Sequence, residues 1–112
     1  MAVEHINHNS RLIKPGLSFK EFTEKSWKLP EEYYGNRYSC MVHGIGLCDE
    51  WPMIRYPNDG GQREGFFEKN MTITVETYIG KVGGKEGVKL EQQYLVGENG
   101  LELMSHHPLE DL

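Results

Sequence analysis

The sequence predicts an α+β chain in which helices pack on one face of an antiparallel sheet. Two patterns predict it. Residues before Pro30 carry helical spacing with start and stop signals, and residues 71–104 carry alternating runs separated by glycine-containing turns. No internal repeat, low-complexity tract or linker interrupts this order, so the 112 residues read as a single unit, 1–112.

The first predicted element is a helix over Ala2–Ile13, with Val3, Ile6 and Ile13 near one face and Pro15-Gly16 ending it. Ser18 followed by Glu21 is a capping box, in which a hydroxyl and a carboxylate each satisfy an orphan N–H of the first turn. A second helix follows over Phe19–Lys28, burying Phe19 and Phe22 with Trp27 as a further contact, and Pro30 stops it. YSCMV (38–42) reads as a short strand. In HGIGLCDEWP (43–52), two glycines and a proline forbid long regular structure. Residues 55–65 read as a polar, Gly-rich surface loop, and His5, His8, His106 and His107 as surface residues. Strands MTITVETYI (71–79) and GVKLEQQYLV (87–96) are joined by GKVGGKEG. A last hairpin turns at Asn99-Gly100, a pair favoured in type I′ turns, into LELM.

Composition narrows the function. Seventeen acidic residues against twelve Lys and Arg give a net charge of −5, which argues against a nucleic-acid partner. No apolar run approaches the ~20 residues that span a bilayer, so no membrane partner is expected. The N-terminus lacks the apolar segment of a signal peptide. Cys40 and Cys48 are too few for a disulfide framework and read as reduced thiols; a cytoplasmic location is expected.

The most informative feature lies in the two central strands. Met71, Ile73, Val75 and Ile79 share one face of the first, and Thr72, Thr74, Glu76 and Tyr78 the other. In the second, Val88, Leu90, Tyr94 and Val96 oppose Lys89, Glu91 and Gln93. A hairpin symmetric about Gly83-Gly84 pairs Ile79 with Val88 and sets Glu76 opposite Glu91, with Cβ atoms ~4.5–5.5 Å apart. Two like charges so placed destabilise a sheet unless something compensates. A divalent cation, a shared proton or Lys89 would do so; the bland alternative is a solvated face with the carboxylates splayed into water or offset by a register slip. His43 opens HGIG after an apolar strand, and one imidazole with two carboxylates is a frequent metal ligand set. Asp49 lies beside Trp51, where partial desolvation would suit a general base, although loop carboxylates more commonly cap backbone N–H groups. Tyr38 is either a donor into the same pocket or a core tyrosine.

HGIGLCDEWP, NMTITVETYIG and GVKLEQQYLVGENGLELMS, in this order and spacing, resemble the C-terminal part of the creatinase/aminopeptidase P/methionine aminopeptidase "pita-bread" superfamily. The resemblance runs from about residue 13 to residue 105. It implies the C-terminal half of a pita-bread fold, with a curved antiparallel sheet, and a dinuclear site for divalent metal (Fe, Mn, Zn or Co). That site is held by two Asp, one His and two Glu; His43, Glu76 and Glu91 match the last three. The two Asp belong to the half of the fold that precedes this segment, so the chain is expected to be a partial domain with little activity alone. It is also expected to form a homodimer or associate with that other half.

Three departures from the peptidases stand out. Asp49-Glu50-Trp51-Pro52 occupies the place of a His-Glu-Pro type sequence. Thr77 replaces a Pro after the first metal Glu, and Gln92 replaces an acid after the second. The pattern resembles instead the branch that cleaves dimethylsulfoniopropionate to dimethyl sulfide and acrylate. There an Asp six residues after the metal His is the base, which Asp49 matches, and a Tyr five residues before it lies in the substrate pocket, which Tyr38 matches. Trp51 or Tyr38 would then hold the small-molecule substrate's sulfonium by cation–π attraction. Two alternatives remain: an Xaa-Pro aminopeptidase or dipeptidase-like metallohydrolase, and a metal-free pita-bread binding module.

Overall fold

The computed structural model describes residues 1–45, 52–57, 59, 64–81, 83–84 and 86–104. Three helices precede five strands: α1 (Ala2–Leu12), α2 (Phe19–Lys25), α3 (Glu31–Tyr34), β1 (Val42–Gly44), β2 (Met53–Ile54), β3 (Thr72–Gly80), β4 (Gly87–Val96) and β5 (Leu101–Leu103). The strands form one antiparallel sheet in the order β2-β1-β3-β4-β5.

α1 packs across β3 and β4 through Ala2, His5, Ile6 and Asn9, an i, i+3, i+4, i+7 stripe. Two of those four are polar, so the apolar spacing alone does not reveal the buried face. His5 is 1% exposed, which corrects its reading as a surface residue. The ring is drawn in because Thr77, on the helix-facing side of β3, bonds its Nδ1, and Trp27 lies 4.9 Å away between ring centroids. His8 is exposed as expected. Asn9 accepts the Trp27 N–H at 2.8 Å and so fixes the chain as it leaves α2.

Gly16, at φ +92°, turns the chain after Pro15. The Ser18 hydroxyl accepts the Glu21 N–H at 3.0 Å, the N-cap half of the expected box. α2 ends at Lys25, sooner than predicted, because Ser26 turns its hydroxyl back to the Thr23 carbonyl at 2.8 Å and adopts an extended backbone. Pro30 caps the short α3 rather than stopping α2. Segment 65–67 pairs with 16–19: the Gly16 N–H donates to the Phe67 carbonyl (2.8 Å), Phe67 to Leu17 (2.9 Å) and Phe19 to Gly65 (2.9 Å). Phe67 then meets Phe19 and Phe22 edge-on at 5.0 and 5.7 Å. These rings join Ile6, Ile13, Met41, Val42, Ile54, Ile73, Val75 and Val96 in a core between the helices and the sheet.

β4 coincides with its predicted span, and β3 is displaced by one residue. β1 starts at Val42 rather than Tyr38. Ladder bonds begin only at Met41, whose N–H donates to the Ile54 carbonyl at 2.7 Å. Ahead of it, Arg37 anchors the chain elsewhere, forking onto the Asp59 carboxylate and donating to the Tyr34 carbonyl at 2.7 Å. At the far end of the central hairpin, Gly80 faces Gly87, and the Tyr78 side chain lies across both; an added Cβ would fall 2.5 Å from its ring at Gly80 and 2.3 Å from its hydroxyl at Gly87. The β4–β5 turn centres on Glu98-Asn99, closed by the Gly97 N–H donating to the Gly100 carbonyl at 2.8 Å. Neither central residue has a positive φ, so the expected type I′ turn at Asn99-Gly100 is not formed.

Candidate metal centre

β3 lies between β1 and β4, and the face turned away from α1 collects side chains from all three. Glu76 pairs with Glu91, Ile79 with Val88 and His43 with Thr74. His43 thus stands on the same face as Glu76, one strand over and two residues along. Ligand atoms of His43, Glu76 and Glu91 all lie within 4.8 Å of one another, the one such cluster of three among the described residues.

The three groups are not equivalent. Glu76 is 1% exposed while Glu91 is exposed. His43 Nδ1 lies 2.9 Å from the carbonyl of Gly44; a carbonyl only accepts, so Nδ1 carries the hydrogen. The other ring nitrogen, Nε2, is aimed at Glu76 Oε1, 2.8 Å away. Both atoms can act as metal ligands, so a cation entering the cluster would take the place of any hydrogen between them. Cys40 Sγ reaches the same oxygen at 3.9 Å. Glu76 Oε2 is buried and makes no hydrogen bond; Lys89 Nζ is 3.7 Å from it. Burial holds the Glu76 carboxyl above its ordinary pKa, with Glu91 adding to the rise and His43 and Lys89 opposing it. A buried carboxylate oxygen without a donor, beside an imidazole nitrogen and a second carboxylate, is a donor set suited to a divalent first-row metal.

Tyr38 reaches this face through Lys89, whose Nζ lies 4.3 Å from the centroid of its ring. Contact with Tyr38, and then the charges of Glu76 and Glu91, hold the Lys89 ammonium above its ordinary pKa. The aromatic face expected to receive a cation is therefore occupied by one from this chain. Asp49, Trp51 and their neighbours Cys48 and Glu50 lie outside the described residues, as do His106 and His107. In the sequence Lys89 is only one possible compensator, and nothing links Cys40 to Glu76. Alternation along β4 was the available signal for Lys89, which shares its face with Glu91.

Residues 1–98 match the family model of Metallopeptidase family M24. The chain is 40% identical over 111 residues to dimethylsulfoniopropionate lyase DddP of Roseovarius nubinhibens, and 37% identical over 110 residues to that of Roseobacter denitrificans. These alignments take in 97% and 96% of this chain and 25% of each relative, so the chain spans about a quarter of the length of the curated relatives it matches. Among solved structures, the prolidase of Pyrococcus furiosus superposes with a TM-score of 0.71 at 27% identity, over 96% of this chain and 31% of that one. The sheet with helices on one face is thus part of a pita-bread fold. Since the family match takes in both central strands and all three residues of the cluster, the chain belongs to metallopeptidase family M24.

Proposed function

We propose that this chain supplies His43, Glu76 and Glu91 to the divalent-metal centre of a lyase that cleaves dimethylsulfoniopropionate to dimethyl sulfide and acrylate. The observation that carries the metal reading is the cluster itself: three ligand atoms within 4.8 Å, one of the carboxylates fully buried. The lyase reading is supported by the identity to the two DddP relatives and by Asp49 and Tyr38 at the offsets that branch uses. A divalent cation held by His43, Glu76 and Glu91, such as Fe, Mn, Zn or Co, would supply Lewis-acid polarisation of the substrate carboxylate. Asp49 removes the proton alpha to that carboxylate; the electron pair forms the carbon–carbon double bond as the carbon–sulfur bond breaks, and sulfur leaves with its bonding pair as neutral dimethyl sulfide. Tyr38 and Trp51 line the substrate pocket. The partner is a small molecule, and a second copy or the rest of the fold completes the site.

The test uses the protein extended to the length of its relatives. Glu76→Gln and Glu91→Gln are each expected to lose most of the bound metal, read by elemental analysis, and unchanged metal content in both overturns the ligand assignment. Asp49→Ala is expected to keep the metal and release no dimethyl sulfide by headspace gas chromatography. Cleavage of an Xaa-Pro peptide without dimethyl sulfide release would move the protein to the peptidase activity that its prolidase neighbour's name describes.

A further inference from the structure

Glu76 brings a buried negative charge to a face where Glu91 brings another, and the described residues place one lysine against them. Lys89 Nζ is 3.7 Å from Glu76 Oε2, the oxygen that has no hydrogen-bond donor. Its side chain is 46% exposed, so the ammonium keeps its water on one side and is free to move. A second seat is already next to it, the face of the Tyr38 ring at 4.3 Å. At 3.7 Å the contact is an ion pair without a good hydrogen bond, held by charge more than by geometry.

We propose that Lys89 is the resident counter-cation of the metal centre, neutralising Glu76 in the metal-free protein and competing with the metal for that carboxylate. The inference rests on the metal reading above and adds to it a residue that is not a ligand. Before metal enters, Glu76 and Glu91 repel across the β3–β4 ladder, and Lys89 offsets that repulsion. A divalent cation among the same groups removes the need for Lys89 and repels it, so the ammonium withdraws toward Tyr38. The metal-free state loses more by removal of the lysine than the metal-bound state does. Linkage then requires that removing it tightens metal binding.

That pairing of opposite effects is what a packing role would not produce. In the protein extended to the length of its relatives, the affinity for Mn²⁺ is measured by titration calorimetry and metal-free stability by urea denaturation, for wild type, Lys89→Met and Lys89→Arg. Lys89→Met is expected to unfold at lower urea without metal, yet to bind Mn²⁺ roughly tenfold more tightly, while Lys89→Arg stays within about twofold of wild type. Unchanged or weaker Mn²⁺ binding by Lys89→Met overturns the inference while leaving the metal reading intact. Binding by Lys89→Met alone supports the competition. No binding by any of the three overturns the metal reading and this inference together. Lys89→Gln carries the same test should the methionine variant fail to fold.

Discussion

Burying an imidazole as fully as His5 is buried makes its charged form expensive. Desolvation, with a smaller push from His8, lowers its pKa from 6.5 to about 4. The ring is neutral in the folded chain while the unfolded chain protonates near 6.5, so the unfolded state binds more protons between those values. Stability from this residue is complete above pH 6.5, falls as the pH drops toward 4 and levels off below. The total loss is about 3 kcal/mol, of which about 2 kcal/mol is gone by pH 5. Urea unfolding of wild type and His5→Gln at pH 7 and pH 5 measures it; equal pH dependence in the two would show that His5 is not the titrating group. The same residue shows why part of the molecule was illegible. His5 and Asn9 interrupt the apolar stripe of α1, and what buries them is Thr77 and the chain at Trp27, distant in sequence. Glu76 and Glu91 were legible because their meeting depends only on alternation and on a loop symmetric about two glycines.

Elements differ in the same way. β3 and β4 are long enough to carry a period, and their register follows from it. β2 has two residues and α3 has four, too few for any periodicity, and neighbours hold them instead. Segment 65–67 lies within or beside a stretch that reads as polar loop, yet it pairs with the start of α2 and carries Phe67 into the core. Gly65 is there because of a close approach: a Cβ on it would stand 2.7 Å from the Phe19 ring. Gly65→Ala is expected to destabilise the chain by about 1–3 kcal/mol, through displacement of Phe19 from its edge-on contact with Phe67. Thermal unfolding checks this, and a shorter side chain at position 19 that recovers part of the loss would identify the ring as the obstacle.

At the scale of the whole molecule, the cluster joins three neighbouring strands, β1, β3 and β4, into one site. An unfolded chain does not hold residues 43, 76 and 91 together, so a bound divalent cation stabilises the native state alone. At a metal concentration one hundred times Kd the gain is about 2.7 kcal/mol. It is expected to appear in stopped-flow measurements as slower unfolding with an unchanged folding rate, and an equal gain in folding rate would show a site formed early.

The positions of the charges along the chain also decide which of them meet through one pairing. Glu76 and Glu91 belong to one hairpin, closed by a single loop, whereas His43 joins from a strand well upstream. Closing that hairpin alone brings the two carboxylates opposite each other, without the imidazole that a separate strand pairing supplies. Lys89 belongs to the same hairpin, two residues before Glu91, so the pairing that opposes the two charges also carries the cation that offsets them. The hairpin thus zips with its own counter-charge aboard and does not have to wait for metal.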